Sequence, residues 1–293
     1  MFPKVNSGLD LPALHKTARD LSDRYQFRYL WLMRAEYFAL FVAAILALDL
    51  GNTPTYYLFY ALVFLTGFAL LLVRSFTKPE QSWYRARAVA ESVKTSAWRY
   101  AMRAHPYDGE NARKQFLSLL PGILLANKVL SEGASSPRVG EEQVTSSMER
   151  GRALPLKSRV AYYLEHRVKD QRTWYLKKAR SNRRAFTFWI WVSGAAYVLA
   201  IFLALSRIAF PVWKIVPIDP LIVVASSIIG WVQIKKHSEL AASYTLTTIE
   251  IGNAVEQSQH LDDEKLFSDF VNDTEMAFSR EHTQWVARQQ TAG

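Results

Sequence analysis

The sequence predicts an all-α membrane protein with four transmembrane helices, arranged as two hairpins with long cytoplasmic helical extensions. Three observations predict it. The apolar residues of this 293-residue chain gather into four runs, at residues 35–50, 56–73, 185–205 and 221–234. Basic residues cluster at the outer ends of each pair of runs and are scarce in the connections within each pair. Outside the runs, small and aromatic residues recur at three- and four-residue steps, the period of one helix face. The mean hydropathy near zero is therefore an average over two unlike parts.

Each run in turn bears on the number of spans. The second and third, at 18 and 21 residues without a charge, approach or reach the ~20 residues that cross a ~30 Å hydrocarbon layer. The first carries Glu36 and Asp49 at its ends, and the fourth has 14 residues including Ser226, Ser227 and Gln233. Length alone would also allow these two to be buried soluble helices. Topology favours spans, because each firm span needs a return partner and these runs lie beside them. Orientation follows from charge. Arg24, Arg28 and Arg34 precede the first run, and Arg74, Lys78, Arg85 and Arg87 follow the second. Lys177, Lys178, Arg180, Arg183 and Arg184 precede the third, and Lys235 and Lys236 follow the fourth. The connection at residues 51–55 has no basic residue, and that at 206–220 has only Arg207 and Lys214. Both termini and the long middle segment of this multi-pass chain are expected to face the cytoplasm. The first residues lack the apolar stretch of a cleavable signal.

The formal charge of +10 is unevenly spread. Residues 74–184 hold 23 basic and 10 acidic groups, a net of +13, whereas residues 232–293 hold 5 and 10, a net of −5. Positive-inside bias and attraction to anionic headgroups account for the basic segment, at ~1 kcal/mol per basic residue near the surface. The acidic C-terminal helices are also expected to dock on the basic middle helices, within or between subunits.

The cytoplasmic segments read as helices. Trp83, Ala86, Ala90, Val93, Ala97, Tyr100 and Ala104 form a seam of coiled-coil type, expected to close at His105 before Pro106. A second helix is expected over residues 111–130, bent or broken at Pro121-Gly122. Residues 131–142, rich in Gly, Ser and Pro, read as a linker. Residues 157–184 read as one helix continuing into the third span. Pro220 marks the start of the fourth span's helix. Leu240, Tyr244, Thr247, Ile251, Val255 and Ser258 carry the next helix, and Leu261-Asp262-Asp263 caps a last one through Phe267, Phe270, Val271 and Trp285. Domain borders follow: a first membrane module at residues 1–130, a linker at 131–155 and a second module at 156–293.

Several chemistries are excluded. With no cysteine there is no disulfide or thiol site, and the 12 glycines contain no Gly-x-Gly pair for a dinucleotide or phosphate loop. His15, His105, His166, His237, His260 and His282 lack metal-ligand spacing. Glu165-His166 and Glu281-His282 are adjacent pairs that point to different faces of a helix. No catalytic set, metal site or cofactor is expected. No charge lies in mid-span, which argues against a proton relay or ion-coupled transporter. The basic, aromatic middle segment lies beside membrane spans and fits lipid headgroups better than nucleic acid. Ala39, Ala43 and Ala47, then Ala196, Ala200 and Ala204, then Ser226 and Gly230, are small residues four apart that let helices approach in lipid, within one protomer or between several. Ser193, Ser226 and Ser227 are the candidates for lining an aqueous path.

Three stretches together resemble the SLATT family: SWYRARAVAESVKTSAWRYAMRAHPY after the first hairpin, SRVAYYLEHRVKDQRTWYLKKA leading into the second, and FVNDTEMAFSREHTQWVARQ at the end. These are bacterial two-transmembrane effector domains found beside SMODS nucleotidyltransferases and SLOG nucleotide sensors. Two such modules look fused here, roughly residues 9–130 and 156–290. The resemblance implies a membrane effector of conflict or antiphage systems, a homo-oligomer in membrane lipid that forms a pore or depolarises the membrane when a nucleotide second messenger or a sensor protein signals. The alternative is a membrane-anchored scaffold or signal receiver that binds a protein or nucleotide messenger without a pore. The family-like positions are Trp83, Arg87, Glu91, Lys94 and Trp98 after the first hairpin, Trp174, Tyr175 and Lys178 before the second, and Glu281, His282 and Trp285 in the ending. Their expected role is helix locking or gating, weighed against ordinary helix packing.

Overall fold

A computed structural model describes residues 8–125, 142–212, 215–258 and 261–290, with the backbone alone at 124, 125, 257 and 280–290. All regular structure among the described residues is helical. In order it comprises α1 (Ala13–Leu46), α2 (Pro54–Thr77), α3 (Pro79–Ala101), α4 (Ala112–Leu125), α5 (Ser146–Ala153), α6 (Leu156–Tyr163), a π-helical segment (Leu164–Lys169), α7 (Asp170–Ala209), α8 (Ile218–Lys235), α9 (His237–Gln257) and α10 (Glu264–Gln290). Four helical stretches, Ala13–Leu46, Pro54–Ala101, Leu156–Ala209 and Ile218–Glu256, are long and apolar enough to cross a membrane. The first and fourth apolar runs thus lie in helices of spanning length.

Helix ends follow local chemistry. Thr53 caps α2 by accepting from Tyr56 N–H at 3.3 Å, with Pro54 in the first turn where its missing N–H costs nothing. α1 stops at Leu46, short of the apolar run's end at residue 50. There Asp49 takes a left-handed φ of 56° and its N–H bonds Leu46 C=O. α3 stops at Ala101, before the expected close at His105. Arg103 adopts φ 55°, its N–H bonds Tyr100 C=O, and Ala104 N–H bonds Arg99 C=O, the paired bonds of a Schellman cap. α4 continues through Pro121, which was expected to bend or break it. The linker at residues 131–142 lies outside the described residues except for Glu142, and Ser146–Ala153 forms a short helix.

The chain divides into two compact units. Unit 1 draws on Met1–Gln26, Glu80–Lys178 and Ser243–Gly293, and unit 2 on Phe27–Pro79 and Ala179–Ala242. In unit 1 the α3 seam is the core: Ala86, Ala90, Val93, Ala97, Tyr100 and Ala104 are all buried. Arg152 ties the turn after α3 by donating to Tyr100, Tyr107 and Gly109 C=O at 2.7 to 3.2 Å, while its guanidinium stacks over Tyr100. The start of α1 is held by Thr145 and Ser147, whose hydroxyls bond Asp10 O and N at 2.7 Å. In unit 2, α2 buries no residue at all. A helix this apolar and this exposed, with Leu58, Phe64 and Leu65 more than half accessible, has the character of a segment that crosses a membrane.

Asp263 Oδ2 accepts from Lys265 and Leu266 N–H at 2.8 and 3.2 Å and so caps α10. Replacing Asp263 by Ala is expected to cost about 1 kcal/mol, whereas Asn should be nearly neutral. Thermal unfolding in detergent checks this, and equal losses for both variants would remove the cap from the account.

Candidate functional site

The site is a buried charged cluster in unit 1, assembled from four segments far apart in sequence. α10 buries Phe267, Val271 and Phe278 on one face, and Glu275 sits in that same stripe with no exposure. The facing series is Arg159, Tyr163, Arg167, Gln171 and Tyr175, each four residues on and each buried. In a straight α-helix four such steps would carry the stripe ~160° around the axis. The π-helical segment at Leu164–Lys169 absorbs about one extra residue and cuts that drift by ~100°, keeping the series on the α10 side.

Arg167 meets Glu275 as a two-pronged pair, Nε to Oε1 at 2.7 Å and Nη2 to Oε2 at 2.6 Å, and the Tyr163 hydroxyl donates to Oε1 at 3.1 Å. The guanidinium also lies over the rings of Phe278 and Trp98, at 4.8 and 5.9 Å. Burial alone would lower the Arg167 pKa, and the Glu275 carboxylate more than reverses it, so the guanidinium stays charged. Burial, then the neighbouring carboxylate, hold the Tyr163 phenol well above its usual value, and it remains a donor. A second pair joins Arg159 of α6 to Glu264 at the start of α10, with Arg159 also donating to Leu154 and Met102 C=O. Arg99 adds a bond to Asn272 C=O at 3.4 Å. The acidic C-terminal helix thus docks on the basic middle segment within one chain.

Beside this pair lie His15 of α1 and Glu91 and Lys94 of α3. Lys94 Nζ is 3.9 Å from Glu91 Oε2, and burial pulls the Lys94 pKa down while Glu91 opposes it. His15 is buried, its Nδ1 has no hydrogen-bond partner, and its pKa falls from 6.5 to about 4. Burial is the main cause, followed by Lys94; Arg19 and Arg167 act in the same sense and Glu91 against it.

The sequence candidates fall into separate groups. Glu91, Lys94 and Trp98 belong to the cluster; Trp98 is fully buried, with Tyr162 and Tyr163 rings at 6.0 and 5.8 Å. Trp174, Tyr175 and Lys178 form a second group at the start of α7. Trp174 and Tyr175 each pack on Tyr244 of α9, at 5.5 and 5.6 Å, Tyr175 also faces Phe278, and Lys178 lies over Trp174. Trp83 and Arg87 lie in the first turns of α3, with Trp83 stacked on Tyr84. The side chains of Glu281, His282 and Trp285 lie outside the described residues. In unit 2, Ser193 is buried and donates to Ala225 C=O at 3.3 Å, Ser226 is exposed and Ser227 half-buried. Glu36 accepts two bonds from Arg74, at 2.7 and 3.2 Å. Among the described residues no group of three or more His, Asp or Glu could hold a metal. Arg159, Tyr163, Arg167 and Glu275 lie inside the stretches that resemble the family without standing out there, and Glu264 and His15 lie outside those stretches. The signal for two of them is a charge inside an apolar stripe: Glu275 between Val271 and Phe278, and Arg167 between Tyr163 and Tyr175.

Two outcomes are expected. Glu275→Ala leaves a buried guanidinium unpaired and should cost about 3–5 kcal/mol, more than the double change Arg167→Met, Glu275→Leu, which removes both charges; denaturant unfolding of the detergent-solubilised protein checks the order. The His15 pKa is depressed in the folded chain, so the unfolded chain takes up the proton first as pH falls. Stability is full above pH 6.5 and is lost towards pH 4, by about 3 kcal/mol. His15→Gln should flatten that part of the stability profile, and an unchanged slope would refute the assignment.

Comparison with protein families places residues 12–160 in the SMODS and SLOG-associating 2TM effector domain 3, and residues 163–285 in the SMODS and SLOG-associating 2TM effector domain 1. No curated protein and no solved structure matches the chain. The seam and rings of α3 lie in the first matched region, and the π-helical segment, Tyr175 and Glu275 lie in the second. The chain therefore belongs to the SLATT family, with two of these effector domains fused in one polypeptide.

Proposed function

We propose that the protein is an oligomeric effector of the bacterial inner membrane, which opens a pore or otherwise depolarises the membrane within a conflict or antiphage defence system. The observation that carries this reading is the pairing of two fused 2TM effector domains with four helical stretches of spanning length, the second of which begins with α2, a helix that buries none of its side chains. In this reading the spans form two hairpins, α1 with α2 and α7 with α8, and both termini are cytoplasmic. A first module at residues 1–130 and a second at 156–293 flank a linker. Ser193, Ser226 and Ser227 are the residues through which water would pass. Trp83, Arg87, Glu91, Lys94, Trp98, Trp174, Tyr175, Lys178, Glu281, His282 and Trp285 lock the cytoplasmic helices or gate the membrane part. The trigger is a nucleotide messenger or a sensor protein of the associated signalling systems.

One observation favours a second reading, a membrane-anchored scaffold or signal receiver without a conduit. Ser193, one of the few polar groups in the spans, spends its hydroxyl on Ala225 C=O within the protomer. That use serves helix packing and lines no path.

The chain contains no cysteine, so single cysteines at Ser226 and Ser227 can report water access without further change. The pore reading expects dye release from liposomes and loss of membrane potential on overproduction, with both cysteines reacting with a charged thiol reagent. Intact vesicles under every candidate trigger, with unchanged potential, would leave only the scaffold reading. Oligomer size after Trp98→Ala and Trp285→Ala separates gating from packing: a packing residue dissociates or unfolds the assembly, and a gating residue leaves its size unchanged while altering leakage.

A further inference from the structure

In unit 2, Arg34 interrupts an aromatic face of α1. Phe27, Trp31, Arg34 and Phe38 follow at four-, three- and four-residue steps and so share one side of the helix. All four are exposed, the three rings by more than half. Arg34 places its guanidinium 5.2 Å from the centroid of Trp231 on α8, and Lys235 places its Nζ 5.1 Å from the same ring. One indole thus holds two cations from two helices, each attracted by the ring's quadrupole. The helices meet closely at this level because residue 230 is glycine: a Cβ there would lie 2.5 Å from the Tyr37 hydroxyl. The bond of His237 to Asn182 at 2.9 Å brings the basic stretch of α7 around Arg183 and Arg184 to α8's end as well. Arg34 immediately precedes an apolar run and Lys235 immediately follows one, so the cations stand where a span leaves hydrocarbon, with Phe38 one turn deeper.

We propose that Arg34, Trp231 and Lys235 form a site for the phosphodiester headgroup of an anionic phospholipid, whose acyl chains lie along the exposed face at Phe38. The site supplies two positive charges for one phosphate and an aromatic ring of the kind that settles at the headgroup level, and the adjoining apolar face gives the chains their solvent. The proposal rests on unit 2 lying in lipid, as proposed above, and names the lipid class that the basic end selects.

The test is native mass spectrometry of the full chain in detergent, titrated with phosphatidylglycerol or with phosphatidylcholine of the same chain length. Phosphatidylglycerol should be retained and phosphatidylcholine not. Arg34→Gln with Lys235→Gln should weaken retention by about tenfold or more, the charge-keeping pair Arg34→Lys with Lys235→Arg should restore it, and Arg207→Gln, an exposed cation in the last turn of α7, should leave it unchanged. Equal retention of the two lipids, or equal retention by the doubly neutralised chain with unchanged helicity, overturns the site. Competition by inorganic phosphate or by soluble glycerophosphoglycerol as strong as that by the lipid also overturns it, by assigning the cations to a free anion. Failure of the membrane reading is seen separately, as a chain released from membranes by alkaline carbonate without detergent.

Discussion

The buried pair of Arg167 and Glu275 is the constraint on which unit 1 depends. Taking both charges out of water is costly, and only the close two-pronged geometry and the Tyr163 hydroxyl offset it. To form it, the last helix must lie against the segment that leads into α7, and that segment must carry a π-helical turn so that Arg159, Tyr163 and Arg167 face the same way. The Arg159 and Glu264 pair and the Arg99 bond to Asn272 follow along the same helix. An interior built on paired charge has poor tolerance for a partial match, which is why a wrong register of α10 would be expelled.

This also changes the character of the expected docking between acidic and basic segments. Surface pairing would be screened by salt within a Debye length, whereas a fully buried pair is screened far less. Near the apolar runs the basic residues meet rings instead, and Arg34 and Lys235 both lie over Trp231. Unit 2 follows the opposite rule: α2 makes no core of its own and leaves its apolar side chains exposed.

Much of the fold was legible in the chain because it rests on local period and length. The α3 seam from Ala86 to Ala104 is buried at every position read from its spacing, and the helices at residues 157–184 and after Asp263 lie where the pattern put them. The ends were less legible. α3 stops at Ala101 and α1 at Leu46 because Arg103 and Asp49 adopt left-handed backbone, a conformation that neither residue type announces. Of the site, Glu91, Lys94 and Trp98 were visible as family-like positions, but their partners were not. Arg167 and Glu275 look like ordinary surface charges until the stripes that contain them are laid against each other.

Sequence by itself determined the helical class, the four apolar stretches and the uneven charge, since hydropathy, period and composition are properties of contiguous residues. It also determined membership of the SLATT family, through stretches of matching residue type. Only the tertiary structure decided which charges are paired, that His15 is buried beside Lys94, and that Arg34 and Lys235 share one ring. Arg167 and Glu275 are 108 positions apart, His15 and Lys94 are 79, and Arg34 and Lys235 are 201. Their energies depend on separation in space and on removal from water, and neither quantity is written in local order along the chain.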